Sequence, residues 1–242
     1  MSDFVILLTA CINPGKVPVL RKEAHIRRED YKKSIRAWLS NPTVHSVVFC
    51  ENSNADLSDI HKICDGYAKR VELFSFEGQD FPPERGKGYG EMKILRHALE
   101  KSKLIVQSTK VIKVTGRLYV PNIGDLIPQM PDVDVICEWR RSLSWTDSRM
   151  FCATREFMDK YFLPLQEILD DSKDIPFEVG LSRAIHRAMA DGGTWSMFPR
   201  APIYEGIGGN SIGGQAAYPT SKMNWIKREL FRRVKETLLR RT

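Results

Sequence analysis

The chain has no CxxC pair, and its five cysteines, Cys11, Cys50, Cys64, Cys137 and Cys152, are scattered and odd in number. Neither a disulfide framework nor a zinc site is therefore indicated, and a reducing cytoplasm is the simplest reading. No apolar run approaches the roughly 20 residues needed to cross a bilayer. The stretch FVILLTA at 4–10 is far shorter and no basic residues precede it, so it reads as a core strand rather than a signal peptide. No GxxxxGK[ST] string is present, which excludes a P-loop. The glycine-rich GKGYGE at 86–91 lies about nine residues beyond the preceding strand pattern, whereas a dinucleotide fingerprint follows its strand directly. Aromatic RNP strings are absent, which argues against an RNA-binding sheet. There is no internal repeat and no linker that would separate independent domains.

What is present is an ordinary globular composition with a charge bias. The 242 residues are 42% hydrophobic and 28% charged, with a formal net charge of +7. That is chain enough for a sizeable core, and the excess of cations points to a polyanionic partner: phosphates, nucleic acid or an acidic membrane surface.

Hydrophobic periodicity places the elements. Phe4–Thr9 is a buried strand ending at Asn13-Pro14-Gly15. Arg27–Leu39 carries Tyr31, Ile35, Trp38 and Leu39 at helical spacing and stops at Asn41-Pro42. Strand Ser46–Cys50 runs into the corner Glu51-Asn52-Ser53-Asn54, followed by a helix over Asp56–Lys69 and a strand over Val71–Phe76. A glycine turn at Gly86–Gly90, a helix at Glu91–Glu100 and a strand at Val111–Val114 complete a βαβαβαβ alternation. Crossovers of this length predict an α/β fold with a mostly parallel sheet flanked by helices. Ligands bind such sheets at the carboxyl ends of the strands, where Thr9–Asn13, Glu51–Asn54 and Thr115–Arg117 should converge. Beyond residue 120 the pattern predicts strands at Val133–Glu138, Met150–Ala153 and Trp195–Phe198, an irregular stretch at Trp139–Arg149, and a helix at Glu156–Leu169 broken near Pro164. An acidic loop at Asp170–Asp174 leads to a helix at Val179–Met189, then a long glycine-rich loop at Tyr204–Tyr218.

Two ends of the stretch Gly86–Val120 suit a phosphorylated ligand. Gly86, Gly88 and Gly90 let backbone approach closely, Lys87 adds charge, and the helix start favours an anion. Alternation along the second strand puts Lys113, Thr115 and Arg117 on one face, a pair of cations fit for a diphosphate. Asp132-Val133-Asp134, the one DxD string, opens rather than closes a strand.

These segments together, from the Thr9-Ala10 loop through CENSN at 50–54, GKGYGEMKIL at 86–95, KVTGRLYV at 113–120 and FEVGLSRAIH at 177–186, resemble bacterial sugar transferases of the GT-A type from surface-polysaccharide pathways. The resemblance covers roughly residues 4–215. It implies a Rossmann-type GT-A domain over 1–220 with a basic amphipathic C-terminal helix over 221–242. It also implies a nucleotide-sugar donor held by Thr9, Ala10, Glu51, Asn52, Ser53, Lys87, Gly88, Glu91, Lys113, Thr115 and Arg117, and a glycan or lipid-linked acceptor. Such families close a later strand with Asp-x-Asp to hold a divalent metal. Here that strand ends in Lys113-Val114-Thr115-Gly116-Arg117, and fixed cations can neutralise a leaving diphosphate as a metal does. The expectation is thus an inverting enzyme independent of metal, with no cofactor beyond its substrate.

Inversion needs a carboxylate to take the acceptor proton. The matching position is Glu178, with Asp174 as second choice; Glu91 fits hydroxyl binding better. Trp145 and Arg149 are the candidate acceptor contacts, with Trp139, Trp145 and Trp195 read either as stacking platforms for a sugar or as core. The terminal segment KMNWIKRELFRRVKETLLRR puts Trp225, Leu230, Phe231, Val234, Leu238 and Leu239 along one side among many Lys and Arg. This is the pattern of a helix lying on an anionic membrane, here the inner face of the cytoplasmic membrane. Packing on the domain, or on a second subunit in a homo-oligomer, is the alternative. For the whole chain the competing reading is a basic polyanion-binding module without catalysis, although no nucleic-acid motif supports it.

Overall fold

A seven-stranded sheet organises the computed structural model, which describes residues 4–139, 143–208 and 222–239. In chain order the elements are β1 (Phe4–Ala10), α1 (Ala24–Ser40), β2 (Ser46–Glu51), α2 (Ser58–Cys64), β3 (Arg70–Ser75), α3 (Gly86–Lys101), α4 (Lys103–Gln107) and β4 (Lys110–Thr115). There follow β5 (Leu118–Tyr119), α5 (Ile123–Leu126), β6 (Val135–Trp139), β7 (Thr146–Thr154), α6 (Arg155–Phe157), α7 (Phe177–Ala190), β8 (Trp195–Ser196), β9 (Glu205–Gly206) and α8 (Lys222–Leu239). The strand order is β3-β2-β1-β4-β7-β6-β8. Strands β3, β2, β1 and β4 run parallel, β7 is antiparallel to both β4 and β6, and β8 is parallel to β6. The mostly parallel α/β sheet expected from the sequence is therefore present.

The near-continuous apolar strands follow from cover on both faces. Alternate residues feed two cores. Val5, Leu7, Val48 and Val111 pack with Leu95 of α3 and Leu181 of α7. Ile6, Leu8, Phe49, Ile112 and Val114 pack with Tyr31, Ile35 and Trp38 of α1. Each fully buried side chain of this kind contributes roughly 1.5–3 kcal/mol.

Several boundaries depart from the sequence reading. Gly86–Gly90 is no loop but the first turns of α3. Gly86 sits at φ 79, and any Cβ there would run into the Asp171 carboxylate, while a Cβ on Gly88 would come 2.9 Å from the Phe177 amide nitrogen. These glycines serve close packing of α3 against the entry to α7. The irregular stretch expected before Arg149 contains the start of β7, which is nine residues long. The Glu156–Leu169 helix resolves into the short α6, a π turn at Met158–Phe162 and a 3-10 segment at Leu163–Ile168 that carries Pro164. A proline cannot donate into a continuing α ladder. Helix α2 is shorter than expected and stops at Cys64. Of the expected 204–218 loop, Glu205–Gly206 pairs antiparallel with β5 and residues 209–218 lie outside the described residues.

Helix α8 is pinned to the domain at Ala201. The Trp225 indole donates to the Ala201 carbonyl at 3.0 Å, and the Ala201 amide donates to Glu229 at 2.8 Å. Arg232, nearly buried, donates to the same carboxylate. Trp225 therefore faces the domain, whereas Leu230, Phe231 and Val234 are exposed, so the single apolar side expected from the sequence is split in two. Burial pushes the Glu229 carboxyl up, but the Arg232 and Ala201 hydrogen bonds outweigh it and hold it down at about 2, from 4.5. Because the folded value is depressed, this contribution to docking is complete above about pH 4.5 and is lost as pH falls toward 2. The difference in tryptophan emission between the native chain and Trp225→Phe should change across that window. An equal change in Glu229→Gln would count against this anchoring.

Candidate functional site

The carboxyl ends of β1, β2 and β4, the amino end of β7 and the first turns of α1, α3 and α7 enclose a cavity of about 670 Å³. Parallel strands β1, β2 and β4 end side by side, with Thr9 level with Thr115 and Ala10 level with Glu51. Their loops therefore leave the sheet along one edge, as the Rossmann-type rule requires.

Of the sequence candidates, Thr9, Ala10, Asn52, Lys87, Gly88, Glu91, Thr115, Arg117, Trp145, Arg149 and Glu178 line this cavity. Glu51, Ser53, Lys113 and Asp174 do not.

Glu51 is fully buried and spent on the architecture. Its carboxylate accepts the amides of Ile12 at 2.8 Å, Ser53 at 2.9 Å and Ala55 at 3.1 Å, together with the Ser75 hydroxyl at 3.2 Å and the Ser53 hydroxyl. It braces the walls instead of facing a nucleoside. Ser53 is tied into the same knot by the Asn13 amide, 2.9 Å from its oxygen. Asn52 does reach the cavity, with its amide group fixed on the Gly90 carbonyl at 3.1 Å.

The two cations at the end of β4 part company. Strand geometry stops at Thr115, and Gly116 turns the chain with its amide on the Thr9 carbonyl at 2.8 Å. Lys113 and Arg117 consequently do not share a face. Lys113 points toward α3 and α7, 0% exposed, with its ammonium 2.5 Å from Glu91 Oε1 and 2.6 Å from the Ser148 carbonyl. Thr9 donates to the same Glu91 oxygen at 2.7 Å. The Lys113 charge is neutralised within the protein and is not offered to a ligand. Arg117 points the other way, 5.9 Å from the Tyr31 ring, 5% exposed, with no hydrogen-bond partner for Nε and Nη1 among the described residues. Burial lowers its pKa, and neighbouring Arg27 adds to that. A buried guanidinium with orphan donors is costly, and an oxyanion is the partner its fork matches.

Glu178, in the first turn of α7, accepts the Ser148 hydroxyl at 2.7 Å. Asp174 sits in the left-handed region at φ 55 on an exposed turn. Its acidic neighbour Asp171 reaches the cavity instead. Burial raises the Asp171 pKa, Lys87 opposes this through charge and its backbone amide, and Glu178 adds to the rise. The start of α3 thus already faces a carboxylate at the Lys87 amide. Arg149 lies 4.1 Å over the Tyr204 ring and donates to the buried Asp147 at 2.9 Å.

Sequence reasoning missed Arg27, Tyr31, Asp147 and Gln79 in this wall. The i, i+4 pair Arg27 and Tyr31 follows the first strand by one loop, which was a usable signal. Asp147 lay hidden in a stretch read as irregular. Arg27 Nε donates to the Cys11 carbonyl at 2.7 Å, and the Cys11 amide donates to the Tyr31 hydroxyl at 2.9 Å, which fixes the β1–α1 loop. Cys11 borders the cavity with its thiol pushed up to about 11, chiefly by burial.

A divalent metal on a diphosphate needs converging oxygen ligands. Among the described residues no three His, Cys, Asp or Glu side chains converge in that way. Of the four carboxylates that line the cavity, Glu91 and Asp147 are held by Lys113 and Arg149. The string Asp132-Val133-Asp134 is elsewhere: Asp132 pairs with Lys110 at 2.9 Å and Asp134 caps Thr194 at 2.7 Å.

No family model matches the chain. No curated protein matches it either. Among solved structures, the glycosyltransferase GlyE of Streptococcus pneumoniae TIGR4 superposes with a TM-score of 0.52 at 8% identity, over 82% of this chain and 45% of that one. The fold is GT-A-like. Mouse xyloside xylosyltransferase 1 aligns at TM-score 0.45 and 10% identity, over 80% of this chain and 83% of its own. The 4-diphosphocytidyl-2C-methyl-D-erythritol synthase of Anaerococcus prevotii DSM 20548 aligns at 0.46 and 11%, over 95% and 98%. At 8% identity the likeness to GlyE concerns the fold alone.

Replacing Arg117 by methionine removes an unpaired buried charge and should raise the unfolding free energy of the ligand-free chain by about 1 kcal/mol or more. Urea titration checks this. An equal or lower stability would mean that the guanidinium is already satisfied.

Proposed function

We propose that the protein is a glycosyltransferase that moves a sugar from a nucleotide-sugar donor to a glycan or lipid-linked acceptor, with inversion and without a metal ion, in surface-polysaccharide assembly. The observation that carries this is Arg117, a buried cation with two donors that find no partner among the described residues, at the carboxyl edge of a GT-A-like sheet. The donor diphosphate lies against Arg117, assisted by Lys87 across the cavity, and these charges offset those that build up as it leaves. The acceptor hydroxyl oxygen bonds to the anomeric carbon as the carbon–oxygen bond to the diphosphate breaks. The nucleoside diphosphate departs with that electron pair, and the hydroxyl proton passes to Glu178. Ser148 orients the Glu178 carboxylate. Trp145 and Arg149, at the β7 end of the cavity, take the acceptor, while Asn52 and Thr9 border the donor.

A thermal-shift panel of UDP, GDP, CMP and dTDP sugars, each with manganese and with EDTA, tests the reading. Stabilisation by at least one sugar nucleotide in EDTA is expected. No response to any of them would favour a polyanion-binding module, and a response abolished by EDTA would remove the cationic replacement of the metal. Arg117→Ala should lose the shift. Glu178→Gln should keep it while turnover falls by roughly 10²–10⁴; full turnover in that variant would eliminate Glu178 as the base.

A further inference from the structure

Of the nine large apolar side chains that are exposed among the described residues, four lie on α8: Ile226 at 51%, Leu230 at 65%, Phe231 at 62% and Val234 at 52%. Ile226, Leu230 and Val234 recur at i, i+4 and form a stripe about 12 Å long. This stripe is turned away from the face that Trp225, Glu229 and Arg232 fix to the domain. The helix cannot roll to bury the stripe without breaking those bonds.

The surrounding charge is predominantly positive. Residues 222–239 contain six Lys or Arg against two Glu, and Arg240-Arg241 follow in the sequence. Glu229 is already consumed by Arg232 and Arg233. Exposed Lys227 lies within the stripe and Arg233 on its border. Long cationic side chains bordering an apolar strip can bury their stems in hydrocarbon while their heads stay at the headgroup level.

We infer that α8 is an interfacial anchor that lays Ile226, Leu230, Phe231 and Val234 into an anionic lipid surface, with Lys227 and Arg233 on the headgroups. A second copy of the chain is the less fitting occupant. A two-fold interface sets the same patch against itself, which would bring Lys227 and Arg233 of each copy onto like charge. Lipid phosphates supply the opposite sign. Among the described residues no helix is long and apolar enough to cross a membrane, so the contact is in-plane. The inference is independent of the donor and of the reaction proposed above.

The full chain is sedimented with vesicles of phosphatidylcholine and with vesicles of phosphatidylcholine mixed with phosphatidylglycerol, at low and at high salt. Binding is expected to the mixed vesicles and to fall steeply with salt. The double variant Leu230→Ser/Val234→Ser, which alters exposed positions only, should weaken that binding at least roughly tenfold with an unchanged melting temperature. Failure to bind the mixed vesicles, or equal binding to both compositions, overturns the inference. So does a concentration-dependent dimer that the double variant abolishes, since that assigns the stripe to a second copy.

Discussion

The carboxylate of Glu51 is the constraint on which the binding edge depends. It lies in the interior at the end of β2, where an unsolvated charge is untenable, so the surrounding chain must supply the donors that water would have given. Three backbone amides and two serine hydroxyls do this, drawn from the loops after β1 and β2 and from the end of β3. Three consecutive strand ends are thereby tied to one point. The loop after β1 is held a second time by Arg27 and Tyr31. The cavity wall is stiff on this side because its polar groups have so few alternatives.

A second carboxylate, the half-buried Glu91, does related work on the opposite side of the sheet. Together with Thr9 and Lys113 it joins α3 to β1 and β4 through charge-assisted hydrogen bonds. The contrast with Arg117 is then informative. Both cations come from one five-residue segment and both are buried, yet one has a carboxylate and a carbonyl for company and the other has donors without a partner among the described residues. Proteins keep such uncompensated charge chiefly where something else is to meet it.

Much of this architecture was legible in the chain. The parallel sheet follows from apolar runs separated by helical periods, and the convergence of Thr9, Asn52, Thr115 and Arg117 on one edge follows from that topology. The fates of individual polar side chains were not legible. Glu51 was read as a ligand contact and is a brace; Lys113 and Arg117 were read as a pair and face opposite ways, because the strand ends between them at Gly116. Asp171 rather than Asp174 reaches the cavity, since the left-handed turn at Asp174 carries that side chain outward. Gly86 and Gly88 were assigned to a loop because glycine punctuates turns, whereas here the same lack of a Cβ serves a tight approach of α3 to Asp171 and Phe177.

By itself, then, the sequence determined the layer order, the edge of the sheet that carries polar loops, and the basic amphipathic character of the terminal helix. These depend on periodicity and on charge, which are local or additive properties. Tertiary structure alone decided which charges are spent and which remain, and which apolar side of α8 is covered. Satisfaction of a buried polar group is a question of partners, and partners such as Glu91 for Lys113 or Ala201 for Trp225 come from distant parts of the chain that only the fold brings within 3 Å.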